Sequence, residues 1–256
     1  MKRAGAGALL LGVMCLATGV QARSLAGSTE SVHQRWVDTA SVGLDPQVVD
    51  TLQRIRGANR RLLALRAYLR AGDSLAARWS WSLEQLSRYP STPEGKVAAA
   101  DIDAVVAAFA KANPGYELQV NRQPRSLEVQ LDHWNENASV VTVSGALAQY
   151  LDRRFARSAS PSAAGLRDAM VQWKPNSAAA LAAPGMSAHG QGRAFDFAVA
   201  RNGQIVAGLE AASARSRWDD AGWSRKLRAA VLASGKPFAG PLQSPYEPWH
   251  YAYTPP

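Results

Sequence analysis

Pro184-Gly185-Met186-Ser187-Ala188-His189-Gly190-Gln191-Gly192-Arg193-Ala194-Phe195-Asp196-Phe197 is the stretch from which the fold of this chain is read, and Glu247-Pro248-Trp249-His250 near the C-terminus answers it. From Ala194 to Val199 apolar bulk alternates with smaller or polar residues. Successive side chains of a strand face opposite ways, so Phe195, Phe197 and Val199 share the core face and Ala194, Asp196 and Ala198 the other. Asp196 therefore stands mid-strand between two alanines, with little bulk around it. Gly190 and Gly192 tolerate backbone angles that other residues resist, which lets His189 curl back over Asp196. Asn202-Gly203, between two apolar runs, predicts a hairpin turn directly after this strand.

The C-terminal stretch repeats the logic. Trp249, Tyr251 and Tyr253 alternate with His250 and Ala252, so His250 points away from the aromatic face, again beside an alanine. Pro245 and Pro248 suppress helix locally and put Glu247 on a stiff turn. His189, Asp196 and His250 supply three metal-ligating side chains, and Glu247 a spare carboxylate. Three protein ligands, a fourth position for water and a base alongside make up the inventory of a catalytic zinc site. A histidine and an aspartate seven residues apart, or a lone Glu-x-x-His, would be ordinary. All four together, within a glycine-rich frame and with the two mid-strand ligands beside alanines, point to a metal.

Ser187, His189, Gly192, Ala194 and Asp196 form the pattern Ser-x-His-x-x-Gly-x-Ala-x-Asp, followed by Glu247, Trp249 and His250 as Glu-x-Trp-His. In both motifs and their order the chain resembles the zinc D-alanyl-D-alanine carboxypeptidases of the VanY type, which are related to lysostaphin-like peptidases and the hedgehog domain. The resemblance covers roughly residues 115 to 254. It implies that His189, Asp196 and His250 bind Zn2+, that Glu247 is the catalytic base, and that the substrate is the D-alanine-containing peptide stem of peptidoglycan. It also implies an arginine on an Arg-Ser-x-x-x-Gln segment, met here by Arg125, Ser126 and Gln130. The family's Gly-Tyr before that arginine is replaced by Gln123-Pro124, and Arg122 is a rival for the role. Arg125 is expected to hold a substrate carboxylate or a developing oxyanion, because its fork of donors is permanently charged. Ser187 and Trp249 are further expected substrate contacts.

The remainder of the chain sets the context. Met1-Lys2-Arg3, an apolar run to Val20 and a small-x-small ending at Ala22 read as a secretory signal peptide over 1–22, and export to the periplasm or the exterior follows. Cys15 is the only cysteine, so removing that segment leaves no thiol for disulfides or metal. No membrane-spanning segment is expected after its removal. The formal net charge of +9 suits an anionic envelope surface, and nucleic acid is out of reach of an exported protein. Residues 23–44 read as a linker, 45–113 as a helical N-terminal segment and 114–256 as the zinc peptidase domain. Within these, helices are expected over 45–69, 74–86, 97–112, 147–157 and the stretch carrying Trp223, Leu227, Ala230 and Val231, the last capped by Asp219-Asp220. A short strand is expected over Ser139–Val143, and a loop over the site from 158 to 183. His33 and His133 have no partner at ligand spacing and read as structural. The expected fold class is α+β: a small, mostly antiparallel sheet with the metal on one face and helices on the other. Two other functions fit the same residues, an endopeptidase cutting peptidoglycan cross-links and a non-catalytic zinc-containing envelope-binding module.

Overall fold

The alternation that begins at Ala194 forms the central strand of the molecule. The computed structural model describes residues 17–158 and 160–255, with side chains from residue 29 onward; most of the leader assigned to 1–22 lies outside them. Helices α1 (Ala17–Ser41), α2 (Pro46–Arg54) and α3 (Ala58–Ala71) come first. Two short helices, α4 (Leu75–Arg78) and α5 (Leu83–Arg88), precede the longer α6 (Pro93–Ala112). Strand β1 (Glu117–Val120) leads into α7 (Leu127–Glu136), α8 (Ala138–Phe155) and α9 (Ala163–Gln172). The hairpin β2 (Ala194–Arg201) and β3 (Gln204–Ala207) follows, then α10 (Trp223–Ser234). Four strands close the chain: β4 (Phe238–Ala239), β5 (Leu242–Gln243), β6 (Tyr246–Glu247) and β7 (His250–Tyr253).

The fold is α+β. Its principal sheet runs β1-β2-β7-β4, with β3 also paired to β2, and its pairings are antiparallel. Asn202 and Gly203 both take positive φ, 51° and 75°, which is the conformation a two-residue hairpin turn asks for. One face of the sheet buries Phe195, Phe197, Val199, Tyr251 and Tyr253. Against it lie Ile102, Val105 and Phe109 of α6 and Leu227, Ala230 and Val231 of α10. Helix α10 stops at Gly235, whose left-handed φ of 65° suits glycine at a helix end. Its start differs from expectation. Gly222 is the N-cap, while Asp219 accepts from the Ser224 hydroxyl and Asp219-Asp220 belong to the preceding helical turn.

A second, wholly helical core joins α1, α2 and α3 to α7, α8 and α9 through residues such as Trp36, Leu62, Leu65, Trp134, Leu147 and Met170. The two cores therefore do not divide at residues 113 and 114: α6 belongs with the sheet, and α7 to α9 belong with the N-terminal helices. The segment 23–44 is mostly helix rather than linker. His33, Trp36, Val37 and Ala40 form its inner stripe, and His33 is held by Asn59 Oδ1 at 2.7 Å and Asp152 Oδ1 at 2.8 Å. Ser139–Val143 is helix, not strand. The Asn137 side chain caps α8 by accepting from the main-chain N–H groups of Ser139 and Val140, and burial recurs at Val140, Val143, Leu147 and Leu151. Residues 158–183 contain α9, packed in the helical core, so that stretch is not simply a loop over the site. The helix expected over 74–86 is broken between Arg78 and Leu83.

Phe197 is fully buried, edge-on to Tyr251 and Phe238. Phe197→Ala is expected to lower the stability of the metal-free chain by about 3–5 kcal/mol, read from urea unfolding.

Candidate metal centre

Sheet register brings the first two candidate ligands together. Asp196 of β2 lies directly opposite His250 of β7, in a ladder that also pairs Phe195 with Tyr251 and Ala194 with Ala252. Cβ atoms of directly opposed residues stand about 5 Å apart, so both side chains rise from the same patch of sheet. His189 arrives from a short helical turn, Ala188–Gln191, which ends at Gly192 in the left-handed region (φ 62°) and feeds β2.

The donor atoms converge. His250 Nδ1 is 3.1 Å from Asp196 Oδ1 and 3.2 Å from His189 Nε2, and His189 Nε2 is 3.5 Å from Asp196 Oδ2. Ligand atoms about 2.1 Å from a tetrahedral zinc lie about 3.4 Å from one another. The cluster thus has the edge lengths of a zinc coordination sphere. Hydrogen bonding alone accounts for it poorly: His250 Nδ1 faces a second imidazole nitrogen and a carboxylate at once, and one N–H cannot serve both. The residues could hold a metal ion. Two imidazoles and a carboxylate are a donor set that zinc and other first-row divalent metals accept.

Glu247 Oε2 lies 3.6 Å from His250 Nδ1, at the margin of the cluster. It is placed by the ribbon in which β6 pairs with β5, Leu242 opposite Glu247, so the stiff turn read from the sequence carries a two-residue strand. Arg125 donates to Asp196 Oδ2 at 3.3 Å, and its main-chain N–H bonds the carbonyl of His189 at 2.9 Å. It stands between β1 and α7, one residue before the N-cap Ser126. Arg122 is not at the site; it pairs with Asp103 of α6 at 2.6 Å. Gln130 of the same segment lies inside. It donates to the carbonyl of Arg125 and accepts the N–H of Gly185, joining the arginine to the loop that carries His189.

A cleft of about 540 Å³ opens beside the cluster, lined by Arg125, His189, Asp196 and Ala198 and walled further along by Gln119 and Leu209. Ser187 lines a small recess with Arg125 and Gln130. Trp249 is elsewhere. It is 3% exposed and rests against Trp218, because the residue before His250 must face the other side of the strand; the expectation that it contacts substrate is corrected. Arg193 is exposed, just ahead of the first residue of β2.

Burial lowers the His189 pKa to about 4, helped by the positive Arg125 and by His250 and opposed by Asp196. Burial works to raise Asp196, but the hydrogen bond from His250 and the positive neighbours bring it below the ordinary carboxylate range. Glu247 is pushed up, by burial first and by the charge of Asp196, against His250 and Arg125. A neutral His189 and an ionised Asp196 are the protonation states a metal requires.

Comparisons with protein-family models, with curated proteins and with solved structures returned no match. Among the described residues no helix is long and apolar enough to cross a membrane.

The depressed His189 pKa has a definite sign. Unfolded, the imidazole takes its proton near 6.5; folded and metal-free, only near 4. Its contribution to stability is therefore complete above pH 6.5 and is lost as pH falls from there towards 4. NMR titration of the chelator-treated protein should place the His189 midpoint near 4; a midpoint near 6.5 would contradict the assigned environment.

Proposed function

We propose that this chain is a zinc-dependent peptidase of the cell envelope, hydrolysing D-alanine-containing peptide stems of peptidoglycan in the manner of D-alanyl-D-alanine carboxypeptidases. The single observation that carries the reading is the convergence of His189, Asp196 and His250, with Glu247 3.6 Å from His250 and Arg125 3.3 Å from Asp196, beside an open cleft. The two motifs that resemble that family supply the three donors and Glu247, and the Arg-Ser-x-x-x-Gln segment supplies Arg125. An apolar leader with a small-x-small ending supports export to the periplasm or the exterior, where that polymer lies.

His189, Asp196 and His250 would hold the zinc. When bound, the metal supplies Lewis acidity, bringing the ionisation of water from a pKa of 15.7 down to about 7. Glu247 accepts the proton from the attacking water on a carboxylate oxygen and returns it to the leaving amine. Its raised pKa suits both halves of that exchange, since a weakly basic carboxylate would surrender the proton but take it poorly. Arg125, 28% exposed and anchored through its main chain, presents guanidinium donors for the substrate's terminal carboxylate or for the developing oxyanion. A purely structural zinc module has no use for a half-buried carboxylate at this margin, so the position of Glu247 favours an enzyme.

One observation favours internal cleavage of cross-links as the second reading. The cleft continues past the cluster between Gln119 and Asn121 on one side and Ile205 and Leu209 on the other, which leaves room for chain on that side of the bond. Incubation of purified peptidoglycan fragments, with and without chelator, separates the alternatives by product mass. Loss of a single D-alanine is the result expected. Internal cleavage would move the assignment to the endopeptidase, and no chelator-sensitive product would overturn the enzyme.

Glu247→Ala is expected to keep its zinc and lose turnover by at least about 100-fold, whereas His189→Ala loses both, as measured by metal content and product formation. Arg125→Ala should chiefly raise KM for substrates ending in a free carboxylate, and much less for an amidated terminus.

A further inference from the structure

The loop from Pro184 to Gly192 does not stand on the sheet alone. Behind it runs the stretch Ala77-Arg78-Trp79-Ser80-Trp81, from the last two residues of α4 into the connection to α5, where the chain leaves its helical path. The Ser80 N–H donates to the carbonyl of Gly185 at 2.7 Å, and the Trp81 N–H to that of Gly190 at 3.0 Å. In return the Gln191 amide donates to the carbonyls of Ala77 at 2.9 Å and Trp79 at 2.8 Å. Ser80, 6% exposed, accepts from Gln130 at 2.8 Å, and Gln130 also holds Gly185 and the Arg125 carbonyl. Deeper in the helical core, the Tyr68 hydroxyl donates to the carbonyl of Pro184 at 2.7 Å.

The glycines of the motif record how close this approach is. A Cβ on Gly185 would lie 2.8 Å from the Trp79 ring, one on Gly190 only 2.0 Å from Ser80 Oγ, and one on Gly192 2.9 Å from the Tyr89 ring. Gly185 and Gly192 also have positive φ, but Gly190 does not, so at Gly190 the requirement for glycine comes from the neighbour and not from the backbone. Tyr68, Trp79, Ser80 and Tyr89 all precede the peptidase-like part of the chain.

We propose that residues 77–81 are a positioning strap for the metal centre: they hold the 184–192 loop from behind, so that the N-terminal helical segment is a working part of the site. Ser80 and Gln191 touch neither the cluster nor the cleft. They act through the loop, setting where His189 Nε2 stands relative to Asp196 and His250. The inference rests on the metal-site reading above, and the test keeps the two apart.

Cobalt(II) is titrated into the chelator-stripped full chain and followed through its visible absorption, whose intensity reports coordination geometry. Four proteins are compared: unmutated, Gly190→Ala, Ser80→Gly, and the double variant. Gly190→Ala drives its methyl against Ser80 and should lose about 10- to 100-fold in affinity, the usual cost of disturbing the groups that orient metal ligands, with a changed spectrum. Ser80→Gly keeps the strap's main-chain bonds and should lose little. Joined to Gly190→Ala, it removes the two nearest atoms and leaves only Gln130 Nε2, 2.9 Å away at the end of a flexible side chain, to give way; it should recover most of the affinity and the original spectrum, a rescue that general destabilisation would not produce. Circular dichroism reports folding; should Gly190→Ala fail to fold, Gln191→Ala, which removes only the amide bonds to the strap, takes its place with the same expected loss. Cobalt bound with equal strength and spectrum in all four proteins, or a double variant no better than Gly190→Ala, would overturn the strap and leave the metal centre intact. No cobalt absorption in the unmutated protein would remove both.

Discussion

The pairing of Asp196 with His250 across two antiparallel strands is the constraint on which this molecule turns. Register in a sheet is all or nothing, since a slip of one residue carries every side chain to the opposite face. Here a slip of β2 would expose Phe195 and Phe197 and bury Asp196, and a slip of β7 would expose Tyr251 and Tyr253 and bury His250. Burial of the aromatic face against α6 and α10 thus fixes the register, and the register places two polar donors opposite each other on the other face. Precision at the cluster is a by-product of packing behind it, which is how rigid elements serve a site better than loops do.

His189 is the ligand that this arrangement cannot place, because it lies ahead of the strand. Its position comes from a glycine-framed turn, from the main-chain bond to Arg125, and from the strap behind the loop. The electrostatics fit together on the same basis. A mostly buried group of two imidazoles and two carboxylates with one nearby guanidinium is short of positive charge, and a buried polar group without compensation is costly. A divalent cation relieves that shortage, with His189 already neutral and Asp196 already ionised to receive it.

Much of this was legible in the chain because the decisive patterns are local. Alternation from Ala194 to Val199 and from Trp249 to Tyr253 gave the two strands and their faces, Asn202-Gly203 gave the turn, and Gly235 the end of α10. Trp249 shows where motif and geometry part: adjacency to His250 in the Glu-x-Trp-His pattern suggested a substrate contact, while strand periodicity sends neighbours to opposite faces, and periodicity prevailed. Val140, Val141, Thr142 and Val143 favour strand by type, yet the Asn137 cap and burial every three or four residues make them helix. His33, Trp36, Val37 and Ala40 formed a helical stripe too short to stand out within 23–44. What local pattern could not show is long-range pairing. The interlocking of α1 to α3 with α7 to α9, and the reach of Ser80 to Gly185 and Gly190, join residues about a hundred positions apart that share no motif.

All of this requires that the donor atoms of His189, Asp196 and His250 share one metal ion. The most direct measurement is zinc titration of the chelator-stripped protein with bound metal counted by mass spectrometry and ligand type read from X-ray absorption. One zinc per chain in a shell of nitrogen and oxygen is expected, with occupancy lost when His250 is replaced by alanine. A chain that takes up no zinc, or that holds it equally well without His250, would contradict it.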